Sequence, residues 1–148
     1  MNHTEVFSQD FDITGRDFSH AGSISTKIKE VLQEIGIMSP IITRTAIAAY
    51  EAEMNVVMYA RKGKLTFTLT PNMIQIRIED EGPGIEDIEK AMQEGYSTAT
   101  QEMREMGFGA GMGLPNIKRN ADSFEVTSVP GTGTVYNIII RLNNPDKS

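Results

Sequence analysis

Two glycine-rich segments, Asp80-Glu-Gly-Pro-Gly84 and Gly107-Phe-Gly-Ala-Gly-Met-Gly113, constrain this chain more than any other feature. The first closes the run Met73 to Asp80, which alternates apolar and polar residues as a half-buried strand does. Glycine belongs where backbone takes positive φ or passes close to a ligand with no Cβ in the way. Backbone N–H groups freed in such loops, and at the start of a following helix, form a ready seat for phosphate oxygens. One carboxylate at a strand end plus two such loops suggests a nucleotide held by its base at one end and its phosphates at the other. Either loop alone is a weak signal, because glycine-rich turns are common in hairpins. Their pairing carries the inference.

The flanking periodicities build a fold around these segments. Glu5 to Phe18 alternates loosely and predicts a strand or two, with a turn at Thr14-Gly15. Ile24, Ile28, Val31, Leu32 and Ile35 recur at helical spacing, with Gly36 as a stop. Ser39-Pro40 reads as an N-cap serine followed by proline at the first helical position, opening a long helix to about Tyr59 that Gly63 ends. Lys64 to Thr70 and Met73 to Asp80 both alternate with period two around Pro71-Asn72, the pattern of an antiparallel hairpin. Glu86 to Met92 predicts a short helix, and Leu114 to Ala121 another that begins at the second glycine segment. Ser123 to Val129 and Thr134 to Ile140 predict two strands joined by Pro130-Gly-Thr-Gly133. Residues 94–111 lack periodicity and are rich in Gly, Ser, Thr and Met, the composition of a mobile lid; Met103, Met106 and Met112 cluster there to pack it or to face a partner. The last residues, 143–148, read as frayed. The expected fold class is α/β (α+β): a two-layer sandwich with helices on one face of a mixed, mostly antiparallel sheet.

Composition narrows the function classes. The 148 residues suit a single domain over 1–148 with one substantial core. A net charge of -6, from 14 basic and 20 acidic residues, argues against direct nucleic-acid binding driven by phosphate contacts. No apolar run is long enough to cross a bilayer, and Met1-Asn-His-Thr-Glu-Val lacks the basic and apolar regions of a signal peptide, so the expected residence is cytoplasmic. The absence of cysteine removes disulfides, thiolate chemistry and cysteine-bound zinc. His3 and His20 stand apart, without other ligands at metal-site spacing.

Glu51 and Asn55 lie four residues apart on the long helix and so share one face. Near phosphate-binding loops, such a pair divides the work of phosphoryl transfer: Asn55 offers a neutral oxygen to Mg²⁺, and Glu51 accepts or orients a hydroxyl proton. An isolated pair of this kind reads first as solvated surface polars. The helix around them is apolar over much of its circumference (Ala46, Ile47, Ala49, Tyr50, Met54, Val57, Met58), and buried polar groups need partners.

Glu51-Ala-Glu-Met-Asn55, Asp80-Glu-Gly-Pro-Gly84, Gly107-Phe-Gly-Ala-Gly-Met-Gly113 and Gly131-Thr-Gly-Thr134 resemble, in order, the four boxes of the GHKL ATPase/kinase superfamily. The likeness runs from about residue 40 to residue 142. Asp80-Glu-Gly-Pro-Gly-Ile85 and Glu94-Gly-Tyr-Ser-Thr98, with Tyr59-Ala-Arg-Lys-Gly63 after the asparagine, are similar to the small bacterial serine/threonine kinases of the anti-sigma-factor and stressosome-switch type. That resemblance implies a Bergerat fold, ATP and Mg²⁺ as cofactors, and a serine or threonine acceptor on a STAS-domain partner. A sigma factor or a downstream phosphatase is a further implied partner, and the exposed sheet edge leaves a homodimer open. It implies Glu51 as general base and Asn55 as the Mg²⁺ ligand. Asp80 would accept the adenine amine, with Gly82, Gly84 and Ile85 passing beneath the base and Thr134 reaching it through water. Gly107, Gly109, Gly111, Met112 and Gly113 would close over the phosphates, with Leu114 at the following helix start.

Asp80 also reads as a turn-former and Thr134 as an ordinary strand residue, while Lys118 and Arg119 read as a phosphate or partner contact or as a solvated face. One position departs from the family pattern: many members carry His or Lys four residues after the asparagine, and here that residue is Tyr59. The phosphate or metal-site interaction made there is then missing, or supplied instead by Arg61 or Lys62, which implies slow turnover. The alternative to a kinase is an ATP-gated, partner-sequestering module whose output is affinity. A free-standing histidine-kinase catalytic domain is disfavoured, because neither histidine sits on a dimerising hairpin, and a nonspecific ATPase has no machinery here to drive.

Overall fold

The computed structural model of the chain describes residues 7–93 and 113–142. The expected lid 94–111, Gly107, Gly109, Gly111, Met112 and the terminal residues 143–148 lie outside the described residues.

Five strands form one sheet: β1 (Phe7–Thr14), β2 (Lys62–Leu69), β3 (Met73–Glu81), β4 (Ser123–Val129) and β5 (Gly133–Arg141). Their order is β1-β2-β3-β5-β4, and all four pairings are antiparallel. Helices α1 (Ser23–Ile35), α2 (Ser39–Tyr59) and α4 (Gly113–Asn120) form the second layer; α3 (Ile88–Ala91) is a single turn. This is the expected two-layer α/β arrangement.

The alternation in the sequence becomes the two faces of the sheet. Leu65, Phe67 and Leu69 on β2, Ile74, Ile76 and Ile78 on β3, and Tyr136, Ile138 and Ile140 on β5 all point into the core under α2. The β2–β3 turn closes through Thr70, whose hydroxyl accepts from Asn72 N–H at 3.2 Å and Met73 N–H at 3.1 Å. The first segment is one strand that ends at Thr14; Gly15 N–H then bonds the Arg61 carbonyl at 2.8 Å, and Phe18–His20 forms a short 3₁₀ turn.

Helix boundaries correct two details. Met38 occupies the N-cap of α2 and Ser39 is already helical with no side-chain cap, although Pro40 sits in the first turn as expected. The helix ends at Ala60, and Gly63 belongs to β2. A Cβ at Gly63 would lie 2.9 Å from Val56 Cγ1, so this glycine serves close helix–strand packing rather than helix termination. Gly36 does stop α1, with φ of 89° and its N–H returned to the Leu32 and Gln33 carbonyls.

Candidate active site

Asp80 lies near the end of β3, half-buried, where the glycine loop leaves the sheet. Its Oδ1 accepts the Thr134 N–H at 3.0 Å, a bond from β5 that fixes the carboxylate and leaves Oδ2 for another donor. Thr134 is buried, and its hydroxyl lies 3.0 Å from Ser128 Oγ on β4. Ser128 Oγ also accepts the Ile85 N–H at 2.7 Å, while Gly131 N–H reaches the Pro83 carbonyl at 2.7 Å. The loop over Gly82, Gly84 and Ile85 is thereby laced to the β4–β5 turn. Gly84 has φ of +75°, and a Cβ there would come within 2.6 Å of the Val129 carbonyl oxygen, so no other residue fits without moving that turn.

Burial raises the Asp80 carboxyl above its ordinary value, and the Thr134 N–H offsets only part of that. A raised native value means that folding favours the protonated form. The associated stability is complete below the unfolded value of 3.8 and is lost as pH rises through the native value. Ionised Asp80 is therefore a net cost to the ligand-free fold at neutral pH. Asp80→Asn, the neutral isostere, should melt up to about 4 °C higher than wild type at pH 7, with the gap closing toward pH 4; differential scanning calorimetry across that range checks it.

Tyr136, two residues along β5 from Thr134 and on the same inward face, is buried beneath this corner. Its hydroxyl lies within interaction range of the Thr134 and Asn55 side chains and close to Asp80 and Tyr59. Burial first, then the Asp80 charge, raises the phenol well above its usual range, so it stays protonated at working pH. Tyr136 spans the gap between the Asp80 corner and α2.

The other end of the site is built by α2 against α4. Arg44 Nε donates to the Asn120 carbonyl at 3.0 Å, Glu51 Oε2 accepts from Asn116 Nδ2 at 2.6 Å, and a Cβ on Gly113 would lie 3.3 Å from Asn55 Oδ1. Positions 44, 51 and 55 form one stripe of α2, meeting residues 120, 116 and 113 of α4 in antiparallel order. Arg44 also bonds Asp122 Oδ2 at 3.2 Å, so a cation sits against the carbonyl end of α4. The first turn of α4 therefore starts beside Asn55, with the Leu114 side chain buried in the core. Lys118 and Arg119 are exposed, and Arg119 Nη1 approaches Asn116 Oδ1 at 3.4 Å.

Glu51 also lines a groove of about 290 Å³ between α1 and α2, together with Lys29, Ile47 and Tyr50. Ile47 and Tyr50 are exposed apolar residues on a helix otherwise largely buried.

The structure thus gathers Asp80, Gly82, Gly84, Ile85 and Thr134 at one corner, and Glu51, Asn55, Gly113 and Leu114 at the other. Residues 16–139 match the histidine kinase-like ATPase domain. The chain belongs to that family. This ATPase-family chain is 36% identical over 110 residues to the serine/threonine-protein kinase RsbT of Bacillus subtilis (strain 168), covering 72% of this chain and 77% of that protein. It is 34% identical over 115 residues to the anti-sigma F factors of Caldanaerobacter subterraneus subsp. tengcongensis and of Thermoanaerobacter sp. (strain X514), covering 78% of this chain and 73% of each. The GHKL resemblance carried by the four motifs is borne out, and the antiparallel sheet with its helical layer agrees with a GHKL-like fold.

Three residues of the site escape the motif reading: Ser128, Tyr136 and Asn116. Period-two counting from Thr134 places Tyr136 on the same inward face. Ser128 and Asn116 give no such signal, because one is a small polar residue at a strand end and the other lies in a polar helix.

Proposed function

We propose that this chain is an ATP-dependent protein serine/threonine kinase of the anti-sigma regulatory type, whose acceptor hydroxyl lies on a STAS-domain regulatory protein. The observation that carries the reading is Glu51 one turn from Asn55, on the α2 stripe where α4 begins, with Asp80 at the opposite corner of the same site. Similarity to a serine/threonine-protein kinase and to anti-sigma factors supports the same output.

In this reading, Asp80 Oδ2 accepts an N–H of the adenine amine; guanine presents a carbonyl there and is repelled. Thr134 and Ser128 supply hydroxyls at the base, and Gly82, Gly84 and Ile85 pass beneath it. Backbone N–H groups of the glycine segment ending at Gly113, continued into Leu114, hold phosphate oxygens. Glu51 takes the proton of the acceptor hydroxyl as its oxygen bonds the γ-phosphorus. The bond from that phosphorus to the β–γ bridging oxygen breaks, ADP departs, and the proton passes to solvent.

Among the described residues no three of His, Cys, Asp and Glu gather as a metal cluster. The Asn55 amide oxygen beside Gly113 fits Mg²⁺, which prefers oxygen, keeps waters and phosphate oxygens and takes few protein ligands; Asn55 would hold it by that oxygen. When bound, the ion neutralises charge on the phosphates. No helix of the described residues is long and apolar enough to cross a membrane, and cytoplasmic work alongside a sigma factor or a phosphatase fits the regulatory role. A homodimer through a sheet edge is compatible with it, and direct nucleic-acid binding is not part of it.

The second reading, an ATP-gated sequestering module with little turnover, draws on one observation. Tyr59 stands where many family members carry His or Lys, and the two cations that follow it in sequence already have a carboxylate partner. Arg61 and Lys62 both pair with Glu81, at 3.4 Å and 3.3 Å.

Calorimetric titration with ATP and GTP in the presence of Mg²⁺, on wild type and Asp80→Asn, tests the site. Selective ATP binding that weakens about 10- to 100-fold in the variant is expected; with its amide oxygen kept on the Thr134 N–H, the variant turns an N–H₂ toward the adenine amine in place of an acceptor. Transfer of ³²P from γ-labelled ATP to a purified STAS-domain protein then separates the kinase from the sequestering module. ATP-dependent complex formation without transfer would favour the module.

A further inference from the structure

We infer that Asn116 is a positioning residue for the Glu51 carboxylate, and that it determines which of the two carboxylate oxygens is left to receive a proton. The inference rests on the reading of Glu51 as the base and extends it to a residue outside the four motifs.

Asn116 stands in the middle of α4, on the face turned to α2, half-buried. Its Nδ2 donates to Glu51 Oε2 at 2.6 Å, a short bond of the charge-assisted kind. Its Oδ1 receives Arg119 Nη1 at 3.4 Å. The amide orientation follows from chemistry. Turned over, it would set oxygen against carboxylate and N–H₂ against guanidinium, two repulsive pairings in place of two attractive ones. Helix α4 cannot slide easily to release the bond, since Arg44 holds its far end through Asn120 and Asp122 and Asn55 abuts its start at Gly113.

The consequence is directional. A glutamate on a helix has several rotatable bonds, and losing one rotamer well moves its oxygens by ångströms. With Oε2 committed to Asn116, Oε1 is the acceptor, on the carboxylate that also borders the groove formed with Ile47 and Tyr50. Misplacement of a base by about 1 Å is enough to lower turnover by about 100-fold while substrate affinity stays intact. Asn116 thus links the base to the helix that begins at the glycine segment, and the geometry of Glu51 is set by where α4 sits.

The test uses two substitutions and two readouts. Asn116→Leu removes the donor, and Asn116→Asp keeps the shape while replacing the donor with a second carboxylate. Both should lower kcat for transfer from ATP to the STAS-domain acceptor by about 10- to 100-fold, with KM for ATP within about twofold and Tm little changed. Asn116→Gln, which keeps an amide donor, should recover part of the loss. In a Glu51→Gln background Asn116→Leu should have no additional effect, because the two residues act as one unit.

The second readout needs no acceptor. In ¹H–¹⁵N spectra of the full chain, the Asn116 side-chain amide should be shifted and slow to exchange in wild type, and lose both properties in Glu51→Ala. Unchanged kcat in both Asn116 variants, an equal loss in the Glu51→Gln background, or an amide signal indifferent to Glu51→Ala would overturn the inference. If Glu51→Gln itself retains full transfer while the amide signal responds to Glu51→Ala, the pairing stands and the role given to Glu51 falls.

Discussion

Glu51→Ala should reduce phosphoryl transfer to the acceptor protein by two to four orders of magnitude, with ATP affinity changed by no more than a few fold. The magnitude is the usual contribution of a positioned general base. Affinity survives because the corner proposed for adenine, with Asp80 held by Thr134, lies at the other end of the site and does not include Glu51. Initial-rate assays with γ-labelled ATP, alongside calorimetric titration of the same variant, separate the two quantities. Loss of binding and turnover together would mean that Glu51 holds α4 in place rather than serving chemistry. Retained turnover would remove it from the mechanism.

A second glutamate two positions along does a different job, and its loss should show in stability. Glu53 is buried at 2% exposure, and its carboxylate accepts N–H groups of Gly22 at 3.0 Å, Ser25 at 3.2 Å and Ile24 at 3.5 Å. It caps α1 from the neighbouring helix, where Gly22 has no side chain to do so. Glu53→Ala strands these donors in the core and should destabilise the protein by about 2–4 kcal/mol, measured by urea unfolding. Glu53→Gln keeps an accepting oxygen and should lose less than half of that. Burial raises the Glu53 carboxyl while the three N–H groups lower it, with burial the larger effect. The native state therefore favours its protonated form, so the advantage of wild type over Glu53→Gln is full below pH 4.5 and narrows as pH rises through the native value.

The contrast between these glutamates shows where sequence reasoning stops. Residues two apart on a helix point about 200° apart, so Glu51 meets α4 and Glu53 meets α1. A motif of the form Glu-Ala-Glu-Met-Asn names the first without saying that the second is the more deeply buried. Local pattern was sufficient for what is local. Period-two runs located β2 to β5, helical spacing located α1 and α2, and Gly36 marked a true helix end. Gly63 was misleading because glycine answers two different demands, termination and close packing, and only the Val56 side chain beside it tells which. Ser39 likewise has the chemistry of a cap, yet Met38 takes the position. In the candidate site, Gly84 was legible because its positive φ and the nearby Val129 carbonyl demand glycine. Tertiary partners were not, because Asn116 becomes informative only once α4 lies antiparallel on α2 with Asn120 and Gly113 in register.

The cap on α1 also bears on the order in which the chain acquires structure during synthesis. A 13-residue helix is marginal alone in water, and the group that satisfies its first N–H groups lies 28 residues downstream of Ser25. As the polypeptide emerges from the ribosome, the first N–H groups of α1 have water alone for a partner until Glu53 has left the exit tunnel. The helix nearest the start of the chain is therefore completed only after its neighbour, and a nascent chain truncated before Glu53 should hold this segment in fluctuating turns.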